Sequence, residues 1–197
     1  MRYVAILLLL LAAPAAAEEA PPPSSATAYN IVSGSSASYH AFTKTFFIIP
    51  GSIDAYTESV SGSVGIDTAV NGIVTISAGS LSSGDDTRDG QMREMLQTNK
   101  FPAIHFSIEA VTPLTPGDVA SYTGAKTVRG GLTVRGVTKE VSFPATIRME
   151  GPFMAIEGAV EVKYTDFGME PPAFWGILKR AEDRIILKAH LLTLPFN

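Results

Sequence analysis

The residues able to do chemistry are few and poorly clustered. Three histidines, His40, His105 and His190, are the only imidazoles, and none stands at i, i+4 from another ligand. Without cysteine, thiolate metal sites and disulfides are both excluded. Asp85, Thr87, Asp89 and Gly90 match the first half of a calcium loop. The twelfth position is Leu96, where such a loop needs a bidentate Glu, so helix capping explains the aspartates better. Glu157 and Glu161 share one strand face and could form an acid pair, but solvated strand charges are the commoner arrangement. No G-x-S-x-G elbow and no phosphate-cradling glycine loop occurs. The pattern calls for no catalytic residue, no metal and no cofactor.

The elements that hold these residues are mostly strands. Val60, Val64 and Ile66 alternate with polar neighbours, and Ile73–Ser80 follows Asn71-Gly72, a favoured two-residue turn, which predicts a hairpin. Ser35 to Phe47 alternates loosely, further alternation marks 102–111, 132–135, 137–147, 154–163 and 185–191, and Gly136 marks a turn or bend. One helix is expected between residues 82 and 100. Ser82 or Ser83 would cap it, Asp85 and Asp86 place negative charge in its first turn, and Asp89 can pair with Arg93. Met92, Met95 and Leu96 form its apolar face, with Arg88 one turn earlier on the same seam. Gly90 weakens the segment, so packing must hold it.

About eight strands with one helix, and no strand–helix repeat, argue against a parallel sheet. The expected fold is all-β: an eight-stranded antiparallel barrel with one short helix capping an end. Its dry face is the lumen, either filled by side chains or wide enough for one slim ligand. Strand alternation places Phe106, Ile108, Leu132, Val134, Phe143, Ile156 and Leu187 inward. The proline-broken segment 167–177 carries Phe174 and Trp175, which either plug one barrel end or form an apolar rim at a ligand entrance.

Ahead of the domain, Arg2, an apolar run from Tyr3 to Ala13 and Ala15-Ala16-Ala17 have the layout of a secretory signal, residues 1–17. Residues 18–28, with three consecutive prolines, read as a disordered leader. Residues 29–197 are then one domain. The formal charge of −4 becomes −5 once Arg2 is lost (14 basic, 19 acidic), and no basic run stands out, which excludes a nucleic-acid partner. No other segment is long and apolar enough for a spanning helix, so no stable membrane insertion is expected after cleavage. The oligomeric state is left open, a homodimer included.

Five stretches, in order, carry a resemblance. R-D-G-Q-M-R-E-M-L-Q-T-N-K-F-P-A-I-H-F (88–106) resembles the R-D…L…P-x-I-x-F signature of the YceI-like proteins. Residues 35–39 (S-S-A-S-Y) and 57–62 (T-E-S-V-S-G) resemble their first two strands, 130–144 their G-x-L-T-x-x-G-V-T-K motif, and Thr165-Asp166-Phe167-Gly168 their late D-F-G turn. Val32 and Ser35 stand where many members carry an Asp and a His. The resemblance implies a lipocalin-like barrel, a periplasmic location and a long apolar lipid of polyisoprenoid type in the lumen, with no established catalytic residues. In that setting Arg88 would reach a buried acceptor or a ligand head group. A barrel packed shut, with a structural or stress-related role, is the alternative.

The signal-peptide reading makes the mature N-terminus Glu18. N-terminal sequencing of the exported protein checks it, and a chain that starts at Met1 contradicts it.

Overall fold

The computed structural model describes residues 27–174 and 178–196. The proposed signal segment, most of the leader, and Trp175 lie outside them. The strands are β1 (Thr27–Ile31), β2 (Ser36–Thr45), β3 (Ile49–Thr57), β4 (Val60–Ile66), β5 (Val70–Ser77), β6 (Ala103–Thr112), β7 (Gly124–Val134), β8 (Val137–Glu150), β9 (Phe153–Val162), β10 (Ala173–Phe174) and β11 (Lys179–Phe196), with one α-helix, α1 (Asp86–Leu96), between β5 and β6. β1 begins at Thr27, two residues inside the expected leader.

Every pairing is antiparallel. The order β1-β4-β5-β6-β7-β8-β9-β11 closes on itself because β11 also pairs β1, giving a ring of eight. β2 and β3 continue the lines of β1 and β4. β2 pairs the N-terminal half of β11 from Lys179–Thr45 to His190–Ser36, and β1 pairs its C-terminal end from Thr193–Ile31 to Phe196–Ala28. The break between β1 and β2 is stapled by Ser35, fully buried. Its hydroxyl donates to the Val32 carbonyl at 2.7 Å and accepts from the Leu192 N–H at 2.9 Å. The expected eight-stranded barrel with one helix is therefore the observed architecture.

Three local expectations need correction. The β4–β5 reversal falls at Asp67–Ala69, not at Asn71-Gly72, which pair Gly65 and Val64 inside the ladder. Gly72 is there for proximity: a Cβ on it would lie 2.5 Å from the Ser63 carbonyl oxygen. The helix cap is Asp85, whose side chain accepts from the Arg88 N–H at 3.0 Å, while Ser82 and Ser83 are engaged elsewhere. The stretch from Ser35 to Phe47 is not one strand to its end, because Phe46 and Phe47 both take positive φ and form the β2–β3 turn. The Arg135-Gly136 turn between β7 and β8 does behave as its glycine suggests, both residues having positive φ.

Two apolar clusters sit inside the ring. At the helix end, Met92 and Leu96 of α1 pack with Leu81, Ile53, Tyr164 and Phe167. At the other end, Tyr29, Val64, Ile66, Tyr122, Ile147 and Met154 pack together. Replacing Gly72 by Ala forces the β4–β5 backbones apart. A loss of about 1–3 kcal/mol is expected in the urea midpoint, whereas Gly79→Ala, with open space at the Cβ position, should not show that overpacking loss.

Candidate functional site

Between the two clusters the barrel wall surrounds an apolar lumen of about 180 Å³, against about 10–15 Å³ for one water. All seven strand residues expected to point inward line it: Phe106, Ile108, Leu132, Val134, Phe143, Ile156 and Leu187. Sequence reasoning left out Val141 and Val160, which share their strands' inward alternation, and the helix residues Met92 and Met95. Tyr39, Tyr164 and Phe167 were also missed.

The wall has a gradient of burial. Leu132 and Val134 near α1, and Ile147 and Met154 near the far end, are buried. Phe106, Ile108, Val141, Phe143, Ile156, Val160 and Leu187 are only partly buried, although they face inward. Such side chains face unfilled space. Two glycines help keep it open. Gly130 and Gly158 lie against the rings of Phe106 and Phe143, where added Cβ atoms would come within 3.0 and 2.8 Å. The rings lie against the backbone of neighbouring strands, their centroids 5.5 Å apart.

The helix end is a partition. Tyr39, Met92, Met95 and Tyr164 border both the lumen and a smaller pocket beyond, which Arg88, Gln91 and Pro172 rim. Burial pushes the Tyr39 hydroxyl up to about 12, with the charge of Asp89 adding to it, and burial raises Tyr164 as well. Both phenols are neutral at physiological pH. Phe167 is 1% exposed and seats the T-D-F-G turn in the partition. Asp183 fixes that turn by accepting from the Thr165 N–H (3.1 Å) and hydroxyl (2.6 Å).

Arg88 stands outside the lumen, on the rim of the smaller pocket. Its Nε donates to the Ser83 hydroxyl at 2.8 Å, and its guanidinium is 3.6 Å from Asp85. The buried member of the R-D pair is Asp89, 4% exposed. Its carboxylate accepts from the Ser82 hydroxyl (2.7 Å), the Ser83 N–H (2.8 Å) and the Ser83 hydroxyl (2.6 Å). The expected Asp89–Arg93 ion pair gives way to this serine cage, with Arg93 acting at longer range. Phe174 ends β10, its backbone paired with Lys179.

The other candidate groups lie on the outer wall. His40 pairs with Asp54 at 2.7 Å, His105 with Thr75 at 3.2 Å and His190 with Glu157 at 3.4 Å. Glu157 also takes Arg148 at 3.2 Å, and Glu161 lies 3.9 Å from Arg184. Glu157 and Glu161 are thus engaged with cations across neighbouring strands.

A long, almost wholly apolar lumen inside an eight-stranded ring, capped by a helix that carries an R-D pair, agrees with the family comparison, whose YceI-like domain model matches residues 29–191. The chain belongs to the YceI-like family. No curated protein matches it. Solved structures with this fold include BcnA of Burkholderia cenocepacia, 21% identical, covering 79% of this chain and 95% of that one at a TM-score of 0.60. A polyisoprenoid-binding domain from Saccharophagus degradans, implicated in plant cell wall breakdown, is 14% identical, with 85% and 98% coverage and a TM-score of 0.63. The YceI protein of Campylobacter jejuni is 17% identical, with 70% and 81% coverage and a TM-score of 0.53. The R-D pair of this YceI-like chain anchors the loop before the helix.

Burial alone would raise the Asp89 carboxyl, but hydrogen bonds from Ser83 and Ser82 outweigh it and hold the group below its ordinary value. A depressed folded pKa contributes stability that is present above the unfolded value, about 3.9, and lost as pH falls through the folded one. Asp89→Asn should therefore cost about 1.5–3 kcal/mol at neutral pH, constant down to about pH 4, and shrink below that. Urea midpoints measured across pH check it; a deficit that persists undiminished in acid contradicts it.

Proposed function

We propose that this protein is a non-catalytic, periplasmic carrier that holds a long-chain apolar lipid of polyisoprenoid type in its lumen. The observation that carries the reading is the band of inward-facing apolar side chains left partly unburied between two buried clusters. A barrel built only as a packed structure would fill that band. The family adds support, as does the fold shared with a domain described as polyisoprenoid-binding. Export to the periplasm rests on the N-terminal signal pattern. Among the described residues no helix is long and apolar enough to cross a membrane.

The lumen sets the energetics. The 180 Å³ open here is close to a cavity of about 150 Å³ that takes one benzene. A lipid of about forty carbons, worth on the order of 12 kcal/mol at roughly 0.3 kcal/mol per atom, therefore enters as the partly buried side chains of the wall swing aside. One polar contact adds about 0.5–1.5 kcal/mol. Affinity should follow apolar fit, with Arg88 at the rim contributing to head-group choice through the smaller pocket.

Val160 is directly opposite Leu187 on the neighbouring strand, and both line the lumen and remain partly unburied. Val160→Trp should occupy that space. Native mass spectrometry of protein purified gently from periplasm is expected to show a lipid mass on the wild type and none on the variant, with the thermal midpoint nearly unchanged. A wild type free of lipid, together with a variant destabilised by overpacking of about 1–3 kcal/mol or more, would establish the packed structural barrel instead.

A further inference from the structure

The β2–β3 hairpin runs past the end of the barrel. β9 stops pairing with β11 at Val162–Ile185, whereas β2 goes on pairing β11 from Ala181–Thr43 to Lys179–Thr45. β3 follows β2 to Ile49, and β10 adds itself to the far edge of β11. The turn at the tip consists of bulky apolar residues: Phe46 is 57% exposed, Phe47 65%, Ile48 81% and Ile49 54%. Leu178, also exposed, is tied to them through its carbonyl, which accepts from the Phe46 N–H at 2.7 Å.

The chemistry of this tip is unusual in two ways. Phe46 and Phe47 hold φ of 50° and 64°, the left-handed region that bulky residues avoid and that Asn or Gly would occupy at lower cost. The hairpin thus accepts strain and keeps two phenyl rings in water. The charged residues of the overhang, residues 43–51 and 179–181, are Lys44, Lys179 and Arg180, with no acid, although the chain is net −4. Lys44 and Arg180 are directly opposite in register and so share a face, with Glu182 3.2 Å from Lys44. An apolar tip with cations set just behind it matches the layering of an anionic bilayer surface. Rings and aliphatic side chains enter the acyl boundary, and long basic side chains reach the head groups.

We propose that the β2–β3 hairpin is a membrane-docking tip that inserts Phe46, Phe47, Ile48 and Ile49 into the surface of an anionic lipid bilayer. Ala41, Ile53 and Ala55 of the same two strands belong to the buried cluster that holds Met92 and Leu96 of α1, so docking brings the helix-capped end of the lumen to the membrane. The docking step does not depend on what fills the lumen.

Flotation with vesicles tests it. Wild-type protein should float with phosphatidylethanolamine–phosphatidylglycerol vesicles and more weakly with phosphatidylcholine alone. Phe47→Asn/Ile48→Ser should lower the anionic-vesicle partition at least about tenfold with an unchanged thermal midpoint, since Asn suits the positive φ at residue 47. Ile48→Ser alone, at the most exposed position, should give a smaller loss of the same sign. Lys44→Glu/Arg180→Glu should abolish the preference for phosphatidylglycerol. Wild-type protein that stays in the soluble fraction overturns the proposal, and so does a hairpin variant that floats equally well. A wild-type dimer in sedimentation velocity that the hairpin variant converts to monomer also overturns it, assigning the tip to contact between copies. Lipid mass in the same samples reads lumen occupancy separately, so failure to dock and failure of the carrier reading are distinguishable.

Discussion

β11 forms both edges of the barrel's seam. Its eighteen residues pair with β9 along one side and with β2 and then β1 along the other. Closure at this strand leaves the ring of eight without an open edge, while β3, beyond that ring, has its one ladder with β2 and a single bridge from Tyr56 to Ser82 on its other side. The consequence is mechanical. A wall held by its own ladder does not need a filled interior to stand, and the inward side chains are free to leave a space. The bulge at Glu182–Arg184 is the one register shift on the β2 side of this seam. It is pinned on the outside, where Arg184 lies 3.8 Å over the Phe42 ring and bonds Glu182 at 3.0 Å, and by Asp183 on the T-D-F-G turn. Closure and the partition at the helix end are thereby coupled through three consecutive residues.

An unfilled lumen has a cost. At about 24 cal/mol per Å³ of cavity, the 180 Å³ here corresponds to roughly 4 kcal/mol. That is a sizeable part of the total stability of about 5–15 kcal/mol typical of a domain. An apolar occupant restores those contacts, and by linkage anything that binds the folded barrel stabilises it. In the carrier reading the same void that weakens the empty barrel supplies the driving force for loading. Water is a poor substitute, since the wall offers very few hydrogen-bonding groups.

The alternation of apolar and polar residues was enough to place seven lumen residues correctly, because in a closed barrel the period of two leaves each strand only one dry face. Turn chemistry was a weaker guide. Asn71-Gly72 has the composition of a hairpin turn but serves close strand approach, a role set by Ser63 on the neighbouring strand and invisible locally. The Phe46-Phe47 turn carries no turn signal at all, because its residues suit an environment outside the chain's own core. The R-D motif was legible as a motif but not as chemistry. Spacing favours Asp89 with Arg93 along the helix, whereas tertiary folding brings Ser82 and Ser83 back onto Asp89 and leaves Arg88 to clamp the same loop. Arg88 and Asp89 differ by one position and so face different surroundings.

The helix is the weakest part of the enclosure. α1 has only eleven residues, and Gly90 sits in its middle with nothing within 4 Å of where a Cβ would be. No packing requires that glycine, and relative to Ala it costs the helix about 0.5–1 kcal/mol. What holds α1 is the Asp85 cap, the serine cage on Asp89 and the insertion of Met92 and Leu96 into the helix-end cluster. Met92 and Met95, which form the partition with Tyr39 and Tyr164, are unbranched and adaptable side chains. The ring of eight opens only by breaking a ladder, whereas this lid shifts by changing methionine rotamers and fraying a glycine-weakened helix. An apolar chain entering the lumen at this end would therefore pass beside α1, and the strands whose hairpin projects Phe46 to Ile49 supply Ala41, Ile53 and Ala55 to the cluster that holds α1.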